Sequence, residues 1–217
     1  MLSFQRADPL AAAGRLSSGP FRGHFSVGLG AHKTYRQHRQ TIDRLQRAIT
    51  QTRTVQMRYY TASRDRTGRR EVDPYHLWYA DGGLYLIGYC HLRQGVRMFA
   101  VDRIRSLTPT SRPCQMPLDF DLDAYVKDAL VVMRGTPIEV ELLFDQPTSA
   151  WVKGRQWHPS QQTTEQKDGR PAMTICAADT RELVGWVLHF GSGVRVISPE
   201  SFRDKVRAEA RKICEQA

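Results

Sequence analysis

Between Thr54 and Ile104 the chain has four short runs rich in β-branched and aromatic residues, TVQMRYY, EVDPYHLWYA, GLYLIGYC and GVRMFAVDRI, with turn material such as RDRTGR, ADGG and RQG between them. Residues of this kind suit a pleated, half-buried surface. Asp81-Gly82-Gly83 supplies the positive φ angles of a tight hairpin turn, and Gln94-Gly95 offers a second. The expected product is a small, strongly bent antiparallel sheet or barrel. Just ahead of it, Ile42, Leu45 and Ile49 recur at helical spacing in TIDRLQRAITQTR and predict one amphipathic helix. Residues 1–40, rich in Gly, Ala, Ser and Arg without sustained periodicity, read as a flexible leader with one short strand at HFSVGL.

After the four runs the pattern changes. PTSRPCQMPLD, residues 109–119, holds three prolines and reads as a linker, followed by a short helix around DLDAYVKDAL. In IEVELLF, Ile138, Val140, Leu142 and Phe144 share one face of a strand. PTSAWVKGR predicts a short helix. A hairpin turning at Lys167-Asp168-Gly169 follows, returning through AMTICAA. Asp179 with Glu182 three residues on fits a capping box for the helix TRELVGWVLHF, closed by Gly191. A strand VRVI and a helix start at Ser198-Pro199-Glu200 complete the order β-α-β-β-α-β-α, which suggests a ferredoxin-like fold with an added helix. The expected class is α+β: a leader at 1–40, a helix and barrel at 41–112, a linker with a short helix at 113–135, and a ferredoxin-like unit at 136–217.

Several function classes drop out. No apolar run approaches the ~20 residues that span a bilayer, and the N-terminus has no secretory pattern, so a cytoplasmic protein without membrane contact is expected. Cys90, Cys114, Cys176 and Cys214 form no CxxC pair, which points to reduced, structural thiols and no zinc site. Cys90 and His91 are adjacent and would face opposite sides of a strand, so they make no nucleophile and base pair. The carboxylates are scattered and no phosphate-binding glycine loop is present. Neither catalysis nor a cofactor is expected.

Charge carries more information. The net charge of +10 is distributed as about +5 over residues 1–40, +7 over 41–112 and −2 over 113–217. Of 32 basic residues 26 are arginine, and no lysine occurs between Arg53 and Arg112. Arginine's planar fork pairs bidentately with phosphate or carboxylate and stacks on bases. A GC-rich genome would also favour arginine, but it would not concentrate charge in one segment. Along the third run Leu84, Leu86 and Gly88 face one way and Tyr85, Ile87 and Tyr89 the other, while Arg97 and Phe99 share a face of the fourth. A surface of arginine interleaved with aromatics is expected, able to hold phosphates and stack bases. The competing reading is that the aromatics close a barrel end and the arginines reach solvent or pair with Asp73 and Asp102.

The pieces RYYTAS, RREVDPYHLWYADGGLYLIGYCHLR and VRMFAVDRIRSL, followed by IEVELLF, GRQWHPSQQ, DGR and LVGWVLHFGSGVRVISPESFR, resemble the WYL-domain transcriptional regulators of bacteria. The likeness covers roughly four-fifths of the sequence, from about Thr41 to the end. It implies a small Sm-like or SH3-like barrel, a ferredoxin-like C-terminal extension, and an effector, either a single-stranded nucleic acid or a nucleotide, held in a basic pocket of the barrel. The positions matching that pocket are Tyr59, Ser63, Arg70, Tyr85, His91, Arg93, Arg97 and Arg103. Tyr59 and Tyr85 have a competing role as core aromatics, Arg103 as a partner of Asp102 or Asp73, and Ser63 as a turn cap. Two departures stand out. The name-giving triad reads Leu84-Tyr85-Leu86, with leucine where tryptophan is usual, and residues 1–40 do not fit the winged helix-turn-helix that opens such regulators. The implied protein is the effector-sensing half of a regulator, a homodimer reaching DNA through a helix-turn-helix that is missing here or supplied by a partner. The alternative is a stand-alone, sequence-tolerant binder of RNA or single-stranded DNA.

Overall fold

A computed structural model describes residues 31–217. The expected strand at HFSVGL lies outside the described residues. Helix α1 (Arg39–Thr50) is followed by five strands, β1 (Arg53–Thr61), β2 (Arg66–Ala80), β3 (Gly83–Cys90), β4 (Gly95–Ala100) and β5 (Ile104–Pro113). They form one antiparallel sheet in the order β4-β3-β2-β1-β5. Leu45 and Ala48 of α1 pack with Val55, Met57, Tyr59, Val72, Leu86, Phe99 and Leu107 to make its core. Each fully buried Leu or Val side chain there contributes ~1.5–3 kcal/mol relative to exposure. Its end strands, β4 and β5, do not pair, so no closed barrel forms. The sheet nonetheless curls enough for the Ala100 N–H at the end of β4 to donate to the Tyr59 hydroxyl at 3.2 Å.

Turn chemistry explains the hairpins. Asp81 and Gly82 both take positive φ, 47° and 68°, as the β2–β3 turn requires. Gly82 is also spatially confined, since a Cβ there would sit 2.2 Å from the Ala31 carbonyl oxygen. Gln94 takes φ 48° in the β3–β4 turn. β5 runs through Pro109 to Pro113, a segment whose prolines predict a linker. An edge strand tolerates residues that cannot donate to a ladder, and β5 is such an edge.

The second unit contains β6 (Pro137–Phe144), α3 (Gln146–Val152), β7 (Gln162–Glu165), β8 (Pro171–Ala178), α4 (Arg181–Leu188), β9 (Val194–Ser198) and α5 (Glu200–Gln216). Its four strands pair antiparallel in the order β7-β8-β6-β9. Val140, Leu142 and Phe144 of β6 are buried against Met173, Ile175, Leu183, Val187 and Phe202. The molecule is thus α+β, built on two antiparallel sheets.

Residues 114–135, with a short helix α2 (Leu122–Val126) capped by the Asp121 side chain, bind both units. The Tyr75 hydroxyl donates to the Gln115 carbonyl (2.9 Å), and the Tyr125 hydroxyl to that of Val96 (3.2 Å). On the other side, Glu182 accepts from the backbone N–H groups of Val132 and Met133 at 3.0 and 2.8 Å. This corrects the expected capping box. The N-cap is Thr180, which makes no side-chain cap bond, while Glu182 serves the linker and Asp179 pairs with Lys205.

Candidate functional site

A carboxylate of the first unit, Asp73, is buried at only 2% exposure. It sits on the face of the sheet turned away from α1, opposite Tyr89 in the β2–β3 ladder. Thr54 donates to its Oδ1 at 2.6 Å, and the Gln115 N–H approaches Oδ2 at 3.5 Å. His91 Nε2 lies 3.1 Å from the same Oδ2, an ion-pair distance without hydrogen-bond alignment. Burial, followed by the Asp73 charge, pushes the Cys114 thiol up to about 11. Burial first, then Cys114 and Asp73, pushes the Tyr75 phenol up to about 12. A carboxylate this enclosed needs such donors, because an unpaired buried charge is heavily penalised. The knot ties β1, β2, the β3–β4 turn and the linker together.

The eight residues singled out in the sequence fall into groups. His91 and Arg93 stand in the β3–β4 turn and Arg97 on β4, which is an edge of the sheet; Arg103 follows in the short turn Val101–Arg103. Arg93 and Arg97 are exposed and form no ion pair with other described residues. Tyr59, 8% exposed, packs edge-on against Phe99 at 5.1 Å, with Arg103 beside its hydroxyl. Burial raises its pKa, and the Ala100 N–H and Arg103 oppose that shift. Tyr85 is half-buried; burial first, then Tyr35, Asp81 and Glu182, raises its pKa. Ser63 is exposed in the turn Ala62–Arg64, and Arg70 donates to the Arg69 carbonyl at 2.7 Å. Neither acid named as a partner for Arg103 pairs with it, since Asp102 pairs with Lys33 at 2.7 Å and Asp73 with His91.

The β3–β4 register corrects one expectation. Leu86 faces Phe99 and Gly88 faces Arg97, whereas Tyr85, Ile87 and Tyr89 face Ala100, Met98 and Val96. Arg97 and Phe99 therefore share the core side with Leu86, and the tyrosines lie on the opposite, linker-facing side. Gly88 is required at this crossing because a Cβ would meet the Asp73 carbonyl oxygen at 2.3 Å. A ligand touching both sides must pass over the β4 edge. The surface offers guanidinium donors, an imidazole and phenols for an anion, and no group of three or more metal-ligating side chains occurs among the described residues. A wide cleft of about 900 Å³ between α4 and α5, lined by Val184, Leu188, Lys205 and Ile213, contains none of the eight.

A WYL domain model matches residues 40–109 and a WCX domain model residues 136–214. Protein PafC of Mycobacterium tuberculosis is 30% identical over 170 residues, covering 75% of this chain and 50% of its own length. YobV of Bacillus subtilis, an HTH-type transcriptional regulator, is 27% identical over 171 residues, covering 76% of this chain and 52% of its own. The chain thus spans about half the length of these curated relatives. A crystal structure of a CRISPR Cas-related protein aligns with a TM-score of 0.56 at 11% identity, covering 82% of this chain and 52% of that one. At that identity the likeness concerns the fold alone.

Proposed function

Because the chain belongs to the WYL-domain family, in the form that also carries a WCX domain, we propose that it is the effector-sensing part of a transcriptional regulator. It binds an anionic effector, a single-stranded nucleic acid or a nucleotide, along the β4 edge of the first sheet, without making or breaking bonds. The observation carrying this reading is the pair Arg93 and Arg97, exposed on one hairpin with no acidic partner among the described residues. Arginine forks left unpaired at a sheet edge, with Tyr59 on the same side as Arg97 and Tyr85 across the edge, suit phosphate and base together. Arg93 and Arg97 clamp phosphate, and Arg103, held by Tyr59 beneath it, extends the basic rim. With Nε2 of His91 turned to Asp73, Nδ1 is the nitrogen left for the ligand. Tyr85 caps the linker-facing side, and Ser63 and Arg70 complete the site from the β1–β2 hairpin.

The curl of the first sheet supports an Sm-like architecture that stops short of closure. The order β7-β8-β6-β9 supports a ferredoxin-like reading of the second unit. The bound signal passes through residues 114–135, which hydrogen-bond to both units, toward a DNA-binding segment on the same polypeptide or a partner. The working form is a homodimer, matching the two-fold symmetry of operator sites.

The test is fluorescence anisotropy of labelled single-stranded DNA and RNA, together with competing nucleotides, against the wild type and Arg93→Ala/Arg97→Ala over a salt series. Salt-sensitive binding largely lost in the variant is expected. Binding that survives the variant unchanged refutes the site.

A further inference from the structure

The face of the first sheet turned away from α1 has a covered half and an open half. Over β2, β3 and β4, Asp73 and Ile87 are buried, with the linker running across them. Over β2, β1 and β5 the same face presents Gln56, Arg58 and Tyr60 on β1, paired with Glu71, Arg69 and Thr67 on β2. Arg58 stands directly opposite Arg69 and, on its other side, Ser106 of β5. All three are exposed. The β1–β5 register then jumps from Arg58↔Ser106 to Tyr59↔Ile104, leaving Arg105 as the extra residue of a bulge. Its guanidinium lies over the Tyr60 ring, 5.3 Å from the centroid. Arg66 and Arg64 lie exposed at the hairpin end.

Folding gives no reason for this arrangement. Like charges directly opposite on neighbouring strands repel. Glu71 is already paired with Arg112 at 2.6 Å, and Asp65, which accepts from the Tyr60 hydroxyl at 2.8 Å, makes no ion pair with an arginine among the described residues. Arg58, Arg64, Arg66 and Arg69 make no ion pair with any described residue. A bulge that re-aims one more arginine over the Tyr60 ring of this open face adds to the same charge.

We propose that this open face is a second nucleic-acid contact, separate from the effector site, in which Arg58, Arg69 and Arg105 grip the phosphodiester backbone and Tyr60 flanks a base or sugar. Guanidinium forks match phosphate oxygens bidentately, as lysines do not. Arg58, Arg69 and Arg105 lie side by side on three neighbouring strands, which run about 4.8 Å apart, so together they meet successive charges of a polymer where a single small anion would use one or two. The contact is backbone-directed and therefore tolerant of sequence.

The experiment compares wild type with Arg58→Gln/Arg69→Gln, and with Arg105→Gln as a second variant, by anisotropy over a salt series using single-stranded and duplex oligonucleotides of one sequence. Loss of two phosphate contacts is expected to flatten the slope of log affinity against log salt by about 1.4 for a single strand or about 1.8 for a duplex, so the arms tell which form the face holds. Arg105→Gln is expected to lower the slope by about half as much. A melting temperature no lower than wild type shows that the double variant folds. Arg93→Ala/Arg97→Ala runs in parallel. Loss in that variant with unchanged affinity and slope in the open-face variants overturns this inference alone, and so assigns the face to an acidic protein or to none. Failure of the wild type to bind either oligonucleotide also overturns it.

Discussion

Thr54→Val removes one hydroxyl and almost no volume, and the structure gives its cost. The Thr54 hydroxyl sits 2.6 Å from Asp73 Oδ1, inside a site where Thr54 is fully buried and Asp73 2% exposed. In the variant Oδ1 loses the Thr54 donor while the carboxylate stays enclosed. A hydrogen bond to a charged group is worth about 1.5–3 kcal/mol, and that is the predicted loss of stability. For a chain of this size each kcal/mol shifts the melting temperature by about 2–4 °C, giving a fall of roughly 3–12 °C. Urea unfolding followed by circular dichroism measures the loss. A double-mutant cycle with Asp73→Asn isolates the pair, because the hydroxyl should be worth less once its partner is neutral. A cost below about 0.5 kcal/mol, or the same cost with and without Asp73→Asn, would refute the view that this buried carboxylate organises the first unit.

Other expectations follow from the same contacts. Glu182→Gln weakens two charge-assisted bonds to Val132 and Met133, so limited proteolysis should cut the linker near residues 127–135 faster than in wild type; unchanged cleavage kinetics would count against that tether. Tyr59→Phe deletes the acceptor for the Ala100 N–H and should cost about 1 kcal/mol in chemical unfolding, an effect absent if the bond is idle. Cys114 and Tyr75 both have folded pKa values raised above their ordinary 9.0 and 10.0, to about 11 and about 12. Their protonated forms are favoured by folding, so this stability is whole below pH 9 and is lost as pH rises toward 12. Tyr75→Phe should flatten the upper part of that loss, by about 1–3 kcal/mol in an alkaline unfolding series. At pH 8 the exposed Cys214 should react with a thiol reagent well before Cys114.

The four β-rich runs, the Asp81-Gly82 turn and the buried stripe of β6 were legible because each depends on local chemistry. Facing was not. Which side of β3 meets Arg97 depends on the pairing offset set by the turn at Gln94, and alternation within one strand carries no information about its neighbour. The Asp73 knot was invisible for a related reason: Thr54, Asp73, His91 and Cys114 come from four segments that only the curled sheet brings together. Glu182 has the spacing of a capping residue, yet tertiary contact with residues 132 and 133 took its carboxylate. Pro109 and Pro113 signal a break, and an edge strand absorbs them. Of the proposed site, the arginine-rich hairpin was readable, whereas the paired arginines of the open face needed the β1–β2 register.

The most direct test of the central claim is ultraviolet cross-linking of a saturating single-stranded oligonucleotide to the protein, followed by peptide mass mapping. An effector seated along the β4 edge should leave adducts on peptides containing Tyr85, His91 or Arg97, lost in Arg93→Ala/Arg97→Ala. Saturated binding with adducts confined to other peptides, such as those of the second unit, would contradict the account.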